Sequence, residues 1–146
     1  MKVAASEESH SLSVPSREDL DGITKACMDY YAAYYTADPD RMTGCLHSSF
    51  AKRRVAYDAA PGTWKTQHID RDTMVAATAR GGGSTSVPET ERWVHITMVD
   101  VSGRMASVKI VAYPFVEYVH LGKFDERWQI VNVLWDRRLV TPAPGP

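Results

Sequence analysis

The sequence predicts an α+β domain: three N-terminal helices packed on a curved, mostly antiparallel β-sheet. Three observations point there. Capping residues open helical patterns at Ser16, Asp38 and Asp70 in the first half of the chain. The second half, from Arg92 onward, alternates apolar and polar residues at the spacing of strands. At 146 residues, with 44% hydrophobic and 24% charged residues, the chain is long enough for one self-sufficient core.

The first helix is read from Ser16, whose partner Asp19 three residues on makes a capping box behind Pro15. Leu20, Ile23, Cys27, Tyr30, Tyr31 and Tyr34 then recur on one face, and the helix is expected to end near Ala37. Asp38-Pro39 pairs a capping side chain with a proline at the first helical position. It starts a second helix whose buried face is read as Met42, Cys45, Leu46, Ser49 and Phe50. Between Lys52 and Ile69 the pattern weakens. Val55 and Tyr57 suggest a short strand, and Asp58 to Gly62 a turn. Asp70 caps a third helix with Met74, Val75 and Thr78 inward, stopped by Gly81-Gly82-Gly83, and residues 81–89 are read as a flexible loop.

Two hairpins complete the chain. Arg92–Asp100 and Arg104–Tyr113 are expected to pair Met98 with Ala106, Ile96 with Val108 and Val94 with Ile110 across a three-residue turn, with Pro114 bending the sheet or marking an edge. Phe115–Lys123 and Trp128–Arg138 are expected to pair Lys123 with Trp128, Leu121 with Ile130, Val119 with Asn132 and Glu117 with Leu134. That register sends Glu117 and Asn132 inward, and Tyr118, His120, Val131, Val133 and Trp135 to an outer face. An outer face so apolar calls for a cover, and a homodimer through it is expected. The folded domain is read as residues 16–140, between tails at 1–15 and 141–146.

Composition excludes several function classes. The net charge of −1 gives no footprint for nucleic acid or an anionic membrane, and no run approaches a membrane span. The first 20 residues lack the apolar core of a signal peptide, so a cytoplasmic location is expected. Cys27 and Cys45 sit in apolar helical patterns as buried thiols. His68, His95 and His120 show no metal-ligand spacing, so neither a metal nor any other cofactor is expected. Gly81-Gly82-Gly83 ends a helix instead of opening one, unlike a phosphate loop.

Tyr30-Tyr31-Ala-Ala-Tyr34-Tyr35-Thr-Ala-Asp38, Leu46-His47-Ser-Ser-Phe50-Ala-Lys52, residues 96–108 and residues 115–135 resemble the NTF2-like superfamily, in particular its putative lumazine-binding (SnoaL-like) branch. The resemblance covers about residues 20–137. It implies a cone with a pocket between the helices and the concave sheet face. Across the superfamily such pockets serve isomerases, dehydratases, cyclases and plain binders. Members carry Asp-Tyr where this chain has Glu117-Tyr118.

A small-molecule ligand, aromatic or polyketide-like, is therefore expected. Any catalysis would be cofactor-independent proton transfer. Glu117 is the candidate base, with an end-of-strand glutamate paired to Arg137 or Arg138 as the plain alternative. Tyr34 and His47 are the other catalytic candidates. The alternatives are a core tyrosine and a histidine bonded to backbone. Tyr30, Trp64 and Asn132 are the candidate ligand contacts. Lys52-Arg53-Arg54 reads as a solvated basic run, able at most to attract an anion. The second reading is a non-catalytic binder or association domain.

Overall fold

The computed structural model describes residues 14–138. Residues 1–13 of the predicted tail at 1–15, all of the predicted tail at 141–146, and residues 139–140 lie outside the described residues.

Helix α1 (Arg17–Thr36) begins where the sequence places it: the Ser16 hydroxyl accepts from the Asp19 backbone N–H at 3.0 Å. It ends at Ala37, in the left-handed region at φ 53°. Ile23, Cys27, Tyr30 and Tyr31 on its inner face are buried, with Ala26 and Ala33 filling the gaps between them. Asp38 caps α2 (Pro39–Cys45) through the Arg41 N–H, and Asp70 caps α3 (Arg71–Ala79) through the Thr73 N–H.

Helix α2 stops at Cys45, five residues earlier than the Leu46–Phe50 pattern predicts. Leu46 and Phe50 are buried as expected, but from strand β1 (Leu46–Asp58). An i, i+4 pair fits a helical face, and here an irregular strand start buries the same two positions. After the turn at residues 59–62, with Gly62 at φ 85°, the chain returns as β2 (Thr63–Asp70), a strand the sequence does not announce. Its residues are nearly all exposed, so it carries no one-sided apolar alternation.

The segment read as a loop at 81–89 contains the short helix α4 (Gly82–Ser86), followed by a 3₁₀ turn at Glu89–Glu91. Gly83 is buried against Tyr34: a Cβ there would run into the tyrosine's ring and carbonyl. Glycine at 83 thus allows α4 to press on α1.

Strands β3 (Val94–Ser102), β4 (Met105–Ala112), β5 (Phe115–Phe124) and β6 (Arg127–Arg137) follow, with Tyr113-Pro114 making the β4–β5 connection. The six-stranded sheet runs β2-β1-β6-β5-β4-β3 and is antiparallel except for the parallel β1–β6 pair. The core lies between its inner face and α1 to α3.

Two bulges correct the predicted registers. In the β3–β4 hairpin Met98 faces Val108, Ile96 faces Ile110 and Val94 faces Ala112, two residues from the expected partners. The turn holds only Gly103-Arg104, and the unpaired Val99 restores the apolar alternation. The inner and outer faces are therefore as predicted. The second bulge has the opposite consequence. Lys123–Trp128 and Leu121–Ile130 pair as expected, but Val131 bulges out, so His120 faces Asn132, Val119 faces Val133 and Glu117 faces Trp135. Beyond that point the faces of β6 exchange. Asn132 and Leu134 are exposed on the outer side, whereas Val133 is buried at 2% exposure and Trp135 packs against the core. Val133 and Trp135 are thus not outer-face residues, and Asn132 does not face the interior.

Candidate functional site

Beneath α1, the inner face of the sheet encloses a cavity of about 220 Å³, lined by Tyr30, Tyr31 and Tyr34 of α1, Lys52 of β1, Gln67 and Ile69 of β2, Met74 and Ala77 of α3, Phe115 and Glu117 of β5, and Trp135 of β6. Its floor is a polar cluster in an aromatic setting. The Lys52 ammonium donates to Glu117 Oε1 at 2.6 Å and to the Tyr30 hydroxyl at 2.7 Å. The Tyr30 hydroxyl donates in turn to Glu117 Oε1 at 3.4 Å. The lysine side chain is 11% exposed and the glutamate 1%. Around the ammonium stand the rings of Trp135, Tyr30 and Phe115, with centroids 5.2, 5.3 and 6.0 Å from Nζ.

Buried charges persist only when paired and hydrogen-bonded, and this pair meets both conditions at Oε1. Among the described residues, Glu117 Oε2 and the Tyr31 hydroxyl are buried without a hydrogen-bond partner. Burial, and then the negative charge of Glu117, push the Tyr30 and Tyr31 phenols well above the usual tyrosine range. The same two causes push Tyr35 up to about 12, and burial raises Tyr34. These phenols stay protonated at neutral pH, and Tyr30 donates its proton to Glu117.

The sequence candidates separate on this geometry. Glu117, Tyr30 and Tyr34 come together at the cavity. The other three do not line it. His47 lies on β1, its ring stacked on Phe124 at 3.9 Å and its Nδ1 accepting from the Ser49 N–H. Trp64 is 71% exposed on β2, against Tyr57. Asn132 sits on the outer face with Asp100, Met105 and His120, lining an open depression of about 490 Å³.

Lys52 is the residue that sequence reasoning passes over. Inside Lys52-Arg53-Arg54 it looks like one of three solvated cations. In the strand, Arg53 faces out while Lys52 and Arg54 point in, and the Arg54 guanidinium lies over Trp135 at 5.0 Å. Strand alternation beginning at Phe50 is the signal that would single out Lys52, and the helical reading of residues 46–50 hides it. Trp135 is missed because of the Val131 bulge.

Elsewhere the charges are fasteners. Lys123 donates to Asp19 at 2.8 Å and the Trp128 indole donates to the same oxygen at 3.0 Å, tying the start of α1 to the β5–β6 hairpin. Cys27 and Cys45 are free and buried, and burial pushes both thiols up to about 12. Among the described residues no group of three His, Cys, Asp or Glu side chains could hold a metal, and no helix is long and apolar enough to cross a membrane.

The fold recurs in solved structures. An NTF2-like protein of unknown function from Silicibacter pomeroyi matches with a TM-score of 0.67 at 16% identity, covering 86% of this chain and all (100%) of that one. An NTF2-like protein of unknown function from Methylobacillus flagellatus matches at 0.60 and 20% identity, covering 88% of this chain and 98% of its own. A protein from Streptomyces avermitilis described as a putative dehydratase of the NTF2-like family matches at 0.51 and 12% identity, covering 84% of this chain and 97% of its own. At these identities the likeness establishes the fold alone. No curated protein matches the chain. The family described as putative lumazine-binding matches residues 18–136, nearly all of the described chain, and with its NTF2-like cone the protein belongs to that family.

Proposed function

We propose that the protein binds a small planar molecule in the inner cavity and acts on it by cofactor-independent acid–base chemistry of the isomerase, dehydratase or cyclase type. The observation that carries this reading is the Lys52–Glu117–Tyr30 cluster on the floor of a cavity of about 220 Å³ walled by aromatic rings. For comparison, an engineered cavity of about 150 Å³ in another protein holds one benzene. One or two rings therefore fit here, a tighter limit than a polyketide-sized ligand requires.

Lys52 meets the ligand oxygen and stabilises negative charge as it develops there. Glu117 supplies the proton-accepting capacity. Its bonded oxygen accepts from the Tyr30 hydroxyl, so as Tyr30 passes its proton to the carboxylate its oxygen takes the proton that leaves the ligand. Tyr34, at the cavity wall, returns a proton to the ligand and takes another from solvent, while Glu117 releases the one it gained, so both groups are restored. The test is a panel of one- and two-ring carbonyl compounds, screened first for thermal stabilisation and then for turnover. Glu117→Gln is expected to lower turnover at least about 100-fold, the scale of general acid–base catalysis. Unchanged turnover would remove Glu117 from the chemistry.

The second reading is association without catalysis, favoured by the opposite face of the sheet. Tyr118 is 55% exposed, Leu134 48%, Val55 50% and Met105 65%, an apolar surface suited to a second copy. With the register corrected, Leu134→Asp, not a change at Trp135, is the substitution expected to give monomers in sedimentation. An unaltered dimer would reject this face. Two buried free thiols accord with a cytoplasmic setting.

A further inference from the structure

We propose that the cavity selects uncharged aromatic carbonyl compounds over the corresponding carboxylates, with Lys52 as the contact that determines specificity. This rests on the pocket reading above and adds the charge and the functional group of the ligand.

An ammonium carries three N–H donors. Two are engaged, by Glu117 Oε1 at 2.6 Å and by the Tyr30 oxygen at 2.7 Å. The Tyr30 hydroxyl is used in both directions, accepting from Lys52 and donating to Glu117 at 3.4 Å. Glu117 is 1% exposed and its second oxygen is buried, so Lys52, at 11%, is the member of the pair that a ligand touches. The floor thus presents one donor, the third N–H of Lys52.

Its charge is already cancelled. Lys52 and Glu117 sum to zero, and the second cation over the Trp135 ring, Arg54, is paired with Asp136 at 3.2 Å. A carbonyl oxygen satisfies the remaining donor and adds no charge. A carboxylate would satisfy the same donor but bring a charge that the already neutral Lys52–Glu117 pair does not compensate, at a desolvation cost among Met74, Phe115 and Trp135 that the neutral Tyr34 hydroxyl and Gln67 amide do not offset. A hydrocarbon of the same shape would leave the donor unmet. The basic run at residues 52–54, which reads in sequence as a solvated run able at most to attract an anion, thus contributes to a site that rejects anions.

Acetophenone, benzoate and ethylbenzene test this, since they share one ring and differ in the group under trial. Their affinities for the full chain are measured by NMR titration. Acetophenone is expected to bind at least about tenfold more tightly than either of the others, the worth of one hydrogen bond to a charged donor. In the charge-balanced variant Lys52→Met/Glu117→Gln, acetophenone should fall to the level of ethylbenzene. Benzoate binding as tightly as acetophenone would overturn the inference while leaving the pocket reading intact. So would a carbonyl preference that survives in the double variant. The comparison among the three compounds on the unaltered protein needs no variant to fold. If none of the three binds, the pocket reading fails and this inference falls with it.

Discussion

Two ion pairs use opposite ends of strand β5, one tying it to β1 and the other to α1. At one end Lys52 meets Glu117 at 2.6 Å; at the other Lys123 meets Asp19 at 2.8 Å. The lengths are similar and the chemistry is the same. Their surroundings differ: side-chain exposures are 11% and 1% in the first pair, and 20% each in the second, beside a third charge on Glu126. A pair that water can reach is screened and exchangeable, and it fastens one element to another. A pair from which water is excluded carries a desolvation penalty that its remaining partners must offset, and losing one partner exposes that penalty. Burial, more than distance, decides which pair can serve a ligand.

The largest expected effect breaks the buried pair. Lys52→Met leaves Glu117 charged and alone, and should destabilise the domain by about 3–5 kcal/mol in denaturant unfolding. Adding Glu117→Gln should return most of that loss, because the second change removes the stranded charge. Equal destabilisation in the single and double variants would mean that packing, not charge, governs the site.

A middle-sized effect belongs to the fastener and is read by pH. Hydrogen bonds from Lys123 and then from Trp128 hold the Asp19 carboxyl below its usual range. The sign follows: a folded value below the unfolded one contributes stability that is present above about pH 4 and lost as pH falls through the folded value. Lys123 is raised, chiefly by the Asp19 hydrogen bond, so its share is complete below about pH 10 and lost as pH rises through its folded value. Asp19→Asn should therefore lower stability near neutrality and flatten the acid limb of a stability–pH curve. A parent-like acid limb in that variant would assign the acid sensitivity to other carboxylates, such as Asp70, lowered by its hydrogen bonds with Thr73.

The smallest effect is at the cavity rim. Arg54 pairs with Asp136, which is 69% exposed, so Arg54→Gln should change unfolding stability by no more than about 1 kcal/mol. A larger loss would show that its stacking on Trp135 supports the cavity wall.

The same contrast explains what the sequence made legible. Ser16, Asp38 and Asp70 announce their helices because a cap is a local event, settled by residues three positions apart. Both hairpins are legible in their alternation. What escapes is the single inserted residue. A bulge at Val99 left the faces intact because a turn one residue shorter compensated it, whereas the bulge at Val131 had no compensation and exchanged Asn132 and Leu134 for Val133 and Trp135. Nothing in the alternation of Ile130, Val131, Asn132 and Val133 marks which residue steps out. Lys52 escaped for a different reason: its neighbours are also cations, and the helical reading of residues 46–50 hid the strand alternation from Phe50 that turns it toward Glu117 on β5. Glu117 could be picked from its own strand because the residues around it on that face are apolar.

Four tryptophans make the central claim directly measurable, since Trp64, Trp93, Trp128 and Trp135 report from four different places. Trp135 lines the cavity, Trp64 lies exposed on β2, Trp93 packs beside His95, and Trp128 is bonded to Asp19. Titrating the ¹⁵N-labelled protein with acetophenone should shift the indole N–H signal of Trp135 in a saturable manner and leave the other three in place. Movement confined to Trp64 or Trp93, with Trp135 unchanged, would contradict the account and move the binding site away from Lys52 and Glu117.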